Sequence, residues 1–244
     1  MLLTTLLLLA LAVANANSQA FSQKQQMYAV TQTFVLNRKP NGVVGRLQLL
    51  MDKRLTASVR KELCGKGGWF LSLSSNSLLY RELLALPPRK SKLEITCVNG
   101  KLIAELNLER PLARLQAWSA GSSTNEFFLL TEDYSAAFGS YNGPETTLLK
   151  IVNANFHELM ALNVKSHKEE PFRLMKSLKS TWRITRRSPK GEILSVSCYP
   201  KADGKFVIDY VRYSFNGTKW LAYKRQVNGY WESDETFPKR SPFP

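Results

Sequence analysis

Apolar and polar residues alternate along most of the chain after residue 26. A period of two residues is typical of a β-strand, because successive side chains point to opposite faces of a sheet. Segments with the period of an α-helix are hard to find. The alternation predicts strands at residues 28–36, 43–51, 56–63, 69–73, 93–98, 101–108, 127–132, 146–152, 156–162, 180–187, 193–199, 206–215 and 220–226.

Turn-forming residues separate these strands at short intervals. Asn99-Gly100 lies between two alternating runs and predicts a tight hairpin, since both residues tolerate a positive φ angle. Asn153-Ala154-Asn155 and Asn216-Gly217 predict two further turns. Short strands with turns every ~8–12 residues indicate an all-β fold, mainly antiparallel, built as a sandwich, a barrel or a propeller.

Two segments are candidates for short helices. Residues 77–86 precede Pro87-Pro88, which would end a helix there. Residues 170–178 fit a helix or a strand equally well. The predicted fold therefore contains at most one or two short helices.

The first 16 residues have the pattern of an export signal. Residues 2–13 are almost entirely Leu and Ala, and Ala14-Asn15-Ala16 follows them as a typical cleavage site. This apolar stretch is shorter than the ~20 residues of a membrane-spanning helix. We expect cleavage and an exported protein, periplasmic or secreted, with no membrane span after signal removal; an uncleaved anchor is the alternative.

The remaining chain allows two domain organisations. Residues 17–26 are polar and are predicted to be a flexible N-terminus. Residues 27–120 and 121–244 then form two β-rich modules, joined near residue 120 because residues 108–124 are the most loop-like stretch of the interior, or residues 27–244 form one continuous domain.

Cysteine and histidine are scarce in this sequence. Cys64, Cys97 and Cys198 would meet an oxidising compartment after export, so a Cys64–Cys97 disulfide is one possibility and three buried thiols are the other. His157 and His167 do not have the spacing of zinc ligands, and no Cys-x-x-Cys occurs. We expect no metal and no cofactor.

Candidate catalytic residues are few. Ser119 lies in an Ala-x-Ser-x-Gly sequence, but a loop and a strand follow it, whereas the nucleophile elbow needs a helix. Glu132 and Asp133 begin a loop that ends at Pro144 and is rich in aromatic residues and glycine. Paired carboxylates ~5–10 Å apart can hydrolyse a glycosidic bond. A solvated loop is the simpler interpretation, so the sequence favours a protein that is not an enzyme.

Positive charge is the most pronounced feature of the composition. The chain has 34 basic and 19 acidic residues, which gives a net charge of +15. Residues 165–190 contain nine basic and two acidic side chains. If residues 180–187 form a strand, Trp182 and Ile184 face inward while Arg183 and Arg187 face solvent. The candidate ligand-binding residues are Lys176, Lys179, Arg183, Arg186, Arg187 and Lys190.

Such a basic surface attracts polyanions. The leading hypothesis is an exported, non-enzymatic protein that binds an anionic envelope or extracellular component, such as an acidic polysaccharide, a lipid or lipopolysaccharide. A general solubilising surface is the alternative explanation of the charge. No signature of sequence-specific nucleic-acid binding is present. The other functional hypotheses are an envelope polysaccharide hydrolase and a structural or assembly component.

Overall fold

The computed structural model describes residues 27–36, 45–55, 89–119, 126–133, 143–185, 191–232 and Phe237. The signal segment 1–16, residues 17–26, the predicted strands 56–63 and 69–73, the helix candidate 77–86 and Cys64 lie outside these ranges. The described residues form fifteen strands, and they contain no complete turn of helix. The all-β prediction is therefore confirmed.

The strands are β1 (Tyr28–Leu36), β2 (Gly45–Asp52), β3 (Lys92–Cys97), β4 (Leu102–Asn107), β5 (Leu112–Ser119), β6 (Glu126–Asp133), β7 (Glu145–Val152), β8 (Asn155–Glu158), β9 (Met160–Asn163), β10 (Glu169–Pro171), β11 (Leu174–Met175), β12 (Ser180–Ile184), β13 (Glu192–Pro200), β14 (Phe206–Phe215) and β15 (Trp220–Asn228).

The strands form three sheets. The N-terminal sheet has the order β1-β2-β3-β4. The middle sheet has the order β11-β7-β6-β5, and β8 also pairs with β7. The six-stranded sheet has the order β10-β9-β15-β14-β13-β12. All described pairs are antiparallel except β15 with β9.

The middle sheet lies between the other two because both of its faces are apolar. On β6, Phe128 and Leu130 pack in the core shared with the N-terminal sheet. Phe127 and Leu129, which alternate with them, pack in the core shared with the six-stranded sheet. A strand that is buried on both faces has a continuous apolar sequence, and the run from Phe127 to Leu130 is such a sequence.

Aromatic rings fill the core between the middle sheet and the six-stranded sheet. Trp220 is 2% exposed and contacts Trp118, Phe127, Phe172 and Phe215 at ring-centroid distances of 5.3–5.8 Å. Two of these pairs, Trp220 with Phe127 and Trp220 with Phe172, meet edge to face, which suits the quadrupoles of the rings. This aromatic packing fixes the six-stranded sheet against one face of the middle sheet. The other face of the six-stranded sheet, which points away from the middle sheet, is called the outer face below.

Several local predictions are confirmed. Gly100 has a φ of 82° in the turn between β3 and β4, and Gly217 has a φ of 103° in the turn between β14 and β15. Asn153 and Ala154 both have positive φ angles, of 50° and 60°, in the turn between β7 and β8. These positions are turns because the strands on either side pair with each other.

Three segments differ from the sequence prediction. Residues 112–119, within the stretch predicted to be loop-like, form β5, because their backbone pairs with β6 and Leu112 and Leu115 are buried in the core. Residues 156–162 form two strands rather than one, because β8 pairs with β7 in the middle sheet and β9 pairs with β15 in the six-stranded sheet. Residues 170–178 contain the end of β10, all of β11 and no helix. Phe172 and Leu174 are buried at alternate positions, and the backbone pairs with β9 and then with β7.

Cys97 and Cys198 are both free thiols, so the structure contains no Cys64–Cys97 disulfide. Within the described ranges, no three His, Cys, Asp or Glu side chains cluster as a potential metal site. No helix in those ranges has the length and apolar character needed to cross a bilayer.

Candidate functional site

A cleft with a volume of about 170 Å³ lies between the middle sheet and β12 of the six-stranded sheet. Most of its polar lining comes from the middle sheet. The lining residues with polar or aromatic side chains are Arg114, Gln116, Thr131, Thr146, Lys176 and Trp182.

Strand register places the polar lining in one row. Arg114 of β5 pairs with Thr131 of β6, which pairs in turn with Thr146 of β7. The two threonine hydroxyl groups lie 2.7 Å apart and share a hydrogen bond. Gln116 lies in the next row beside Leu129, which belongs to the apolar core. The cleft is therefore the polar end of the face that carries this core.

Lys176 reaches the cleft because the backbone of β11 approaches β7 closely. The Lys176 N–H donates to the carbonyl of Pro144 at 3.0 Å. A Cβ atom on Gly143 would lie 1.8 Å from the carbonyl oxygen of Lys176, so only glycine permits this approach. The Lys176 ammonium lies 5.5 Å from the centre of the Trp182 ring, within the range of a cation–π interaction.

The cleft carries positive charge and no described negative charge. Lys176 and Arg114 are both exposed and line it, and no carboxylate is among the described lining residues. In the described ranges, Lys176 forms no ion pair within 4.0 Å. The Lys176 ammonium beside neutral hydroxyl and amide groups suits a carboxylate, sulfate or phosphate.

Glu132, a catalytic candidate from the sequence, faces away from the cleft. It follows Thr131 on β6, so its side chain points to the opposite face of the middle sheet. Its carboxylate accepts hydrogen bonds from the N–H groups of Glu109 and Arg110 at 2.9 and 3.1 Å. Burial raises the pKa of Glu132, and these backbone hydrogen bonds oppose the increase. The observed contacts stabilise the turn between β4 and β5.

Asp133 ends β6, where its backbone pairs with Leu112; its side chain lies outside the described parts of the structure. Residues 134–142 of the predicted functional loop also lie outside them, whereas Pro144 at its end borders the cleft. A catalytic role for Glu132 or Asp133 stays a prediction.

The structure places the basic candidates at different sites. Lys176 lines the cleft, but Lys179 is only 4% exposed and lies under the C-terminal segment. The Lys179 ammonium contacts the Tyr230 hydroxyl group and lies 3.4 Å from the Glu232 carboxylate. Lys179 therefore does not contribute to an exposed cationic surface.

Arg183 lies on the outer face, as expected from the alternation along β12. Its guanidinium lies 4.4 Å from the centre of the Phe237 ring. Trp182 and Ile184 point to the opposite face and pack against the core, which confirms their predicted orientation. Arg186, Arg187 and Lys190 lie outside the described residues, and their ligand-binding role stays a prediction.

Sequence reasoning missed Arg114, Gln116, Thr131 and Thr146. A signal was present, because Arg114 and Gln116 interrupt an apolar strand at alternate positions. In a sheet that is buried on one face only, such residues simply face solvent. Their significance depends on the second sheet, which covers that face and makes it one wall of a cleft.

The chain matches no protein-family model, no curated protein and no solved structure.

Proposed function

We propose that this protein is an exported, non-enzymatic binding protein that holds an anionic group of its ligand in the cleft. The observation that supports this most directly is the position of Lys176 and Arg114 in the lining of one cleft between two sheets. The export pattern of residues 1–16 is consistent with a ligand in the envelope or outside the cell.

The size of the cleft indicates which part of a ligand it accommodates. Pockets for drug-sized ligands are typically ~300–1,000 Å³. A cleft of about 170 Å³ is smaller than this range and fits one small charged group or one sugar unit of a larger ligand. The Trp182 ring and Leu129 provide apolar contact, while the threonine hydroxyl groups and the Gln116 amide provide hydrogen bonds.

The chemistry of the lining favours binding over catalysis. Among the described lining residues there is no carboxylate, imidazole or thiol that could act as a general base or a metal ligand. The Thr131 hydroxyl group is hydrogen-bonded to Thr146 rather than to a base that would activate it.

Calorimetric titration of the protein with galacturonate, a monosaccharide sulfate and a monosaccharide phosphate tests this proposal. We expect binding to at least one of them, weaker at higher ionic strength. Lys176→Ala should weaken it about tenfold, the effect of losing one charge-assisted hydrogen bond.

Lys219→Ala is the matched control, since Lys219 is exposed in the turn between β14 and β15, away from the cleft lining. This variant should bind like the unaltered protein. Equal loss in both variants would mean that net charge, and not the cleft, attracts the ligand. Product formation from an acidic glycan during the titration would instead support the hydrolase hypothesis.

A further inference from the structure

A row of hydrogen-bonding side chains crosses the six-stranded sheet next to the cleft. Ser180, Ser197, Asp209 and Gln226 are successive partners on β12, β13, β14 and β15. Ser180 is two residues from Trp182 on the same strand, so both lie on the face toward the middle sheet. Four strands at a spacing of ~4.8 Å give this row a length of about 14 Å.

The row lies beyond the edge of the apolar core. The next row toward the core contains Trp182, Ser195, Val211 and Lys224, and the one after it contains Ile184, Ile193, Tyr213 and Ala222. From row to row, polarity therefore increases away from the apolar core. Ser180, Ser197 and Asp209 are partly exposed and Gln226 is exposed.

Tyr199 connects the side chains at one end of the row. Its hydroxyl group donates to Asp209 at 2.9 Å and accepts from the Gln226 amide at 2.9 Å. Burial and the hydrogen bond to Asp209 raise the pKa of Tyr199, whereas the hydrogen bond from Gln226 and the positive charge of Arg173 lower it. Tyr199, Asp209 and Gln226 thus hold each other in fixed positions.

Arg173 lies on the segment between β10 and β11, which crosses the same face of the sheet. Its N–H donates to the Tyr213 hydroxyl group at 2.9 Å, and its carbonyl accepts from the Ser195 hydroxyl group at 2.6 Å. These bonds fix the backbone while the side chain stays exposed. Arg173 and Lys176 therefore add positive charge near the boundary between the cleft and the row.

We infer that this row, together with Tyr199, extends the cleft into a binding surface for an acidic oligosaccharide, with one charged sugar in the cleft and neighbouring sugars along the row. This inference rests on the proposed function of the cleft. A surface about 14 Å long exceeds one sugar unit, so it would contact at least one further unit of the chain.

The side chains of the row suit sugar hydroxyl groups better than phosphates. The Asp209 carboxylate accepts hydrogen bonds, and the Gln226 amide both donates and accepts. A nucleic acid would bring phosphate groups close to Asp209, where like charges repel. An acidic glycan instead combines separated charges, which suit Arg173 and Lys176, with neutral hydroxyl groups, which suit the row.

The test is calorimetric titration with galacturonate and with oligogalacturonates of two to six units. We expect the affinity to increase with length and then level off. Gln226→Ala should weaken binding of the tetramer about fivefold to tenfold and leave binding of the monosaccharide unchanged. Tyr199→Phe should act in the same direction, because it loses the hydrogen bonds that position Asp209 and Gln226.

Ser214→Ala is the control, because Ser214 alternates with Tyr213 on β14 and lies on the outer face. It should bind every oligomer like the unaltered protein. Affinity that is independent of length, with no effect of Gln226→Ala but a loss in Lys176→Ala, would overturn this inference and leave the proposed function intact.

Binding of phosphate or a short oligonucleotide in place of any acidic sugar, still dependent on Lys176, would show that the ligand class is wrong. If none of these ligands binds the protein, both the inference and the proposed function fail.

Discussion

The ammonium group of Lys179 lies 3.4 Å from the carboxylate of Glu232, and this ion pair attaches the C-terminal segment to the six-stranded sheet. Tyr230 packs beside this ion pair. The centre of its ring lies 3.7 Å from the Lys179 ammonium and 4.8 Å from the centre of the Phe206 ring. The Trp231 N–H donates to the sulfur of Cys198 at 3.4 Å. The segment thus covers a small apolar cluster on the outer face.

Glu232→Gln should lower the thermal midpoint of unfolding by a few degrees. Removing the acid leaves the Lys179 charge, on a residue that is 4% exposed, without its ion-pair partner. Differential scanning calorimetry measures the change. Asp203→Asn is the control, because Asp203 pairs with Lys205 at a site where the two side chains are 53% and 83% exposed. Equal midpoints for the two variants would contradict a stabilising role of the C-terminal segment.

Asp52 should make the protein sensitive to acid. Burial alone would raise its pKa, but the hydrogen bond from the Arg54 side chain and the backbone hydrogen bonds from Arg89 and Arg54 lower the pKa to about 2. Because the folded pKa is below the unfolded value of 3.8, the stabilisation is present above pH ~4 and is lost as the pH falls toward ~2.

Asp52→Asn should therefore cost about 2 kcal/mol in the free energy of unfolding at pH 7. The difference between this variant and the unaltered protein should shrink as the pH falls from ~5 to ~2, since both then lack the charge. Denaturant unfolding at a series of pH values measures it. A difference that stays constant with pH would show that the Asp52 charge is not the cause.

Gly143→Ala should disturb both stability and ligand binding. The new methyl group would overlap the carbonyl oxygen of Lys176, and the backbone of β11 would have to move away from β7. We expect a loss of about 1–3 kcal/mol in stability and weaker binding in the cleft. Gly45→Ala is the control, because its nearest neighbours would lie at 3.5–3.7 Å, an ordinary contact distance. Similar stability of the two variants would show that the Gly143 contact is relaxed in solution.

Tyr213 should ionise only at strongly alkaline pH. Burial raises its pKa to about 12, although the hydrogen bond from the Arg173 backbone opposes the increase. The neutral hydroxyl group therefore stabilises the fold below pH ~10, and this contribution declines as the pH rises toward ~12.

Tyr213→Phe should remove the loss of stability that Tyr213 ionisation causes at alkaline pH. At neutral pH it should lower the free energy of unfolding by about 1–2 kcal/mol, because the Arg173 N–H loses its acceptor. Ultraviolet absorbance of tyrosinate measures the titration directly. Ionisation of every tyrosine near the ordinary value of 10.0 in the folded protein would contradict the prediction.

The sequence alone predicted most of the strands and many of their turns, but not β5. Alternation and turn chemistry are local properties, so the hairpin at Asn99-Gly100 and the inward orientation of Trp182 were predictable without knowledge of the rest of the chain. The polar positions Arg114 and Thr131 were also visible, but nothing in their local sequence distinguishes them from residues that face solvent.

The tertiary structure decided which sheet each strand joins. It placed β8 and β9 in different sheets, enclosed the middle sheet on both faces, and brought Lys176 to Arg114 while burying Lys179 beneath Tyr230. These outcomes depend on pairing and packing between segments far apart in the chain. Alternation with a period of two residues shows which side chains of a strand share a face of the sheet. Only the neighbouring sheet determines whether that face meets a core, a cleft or water.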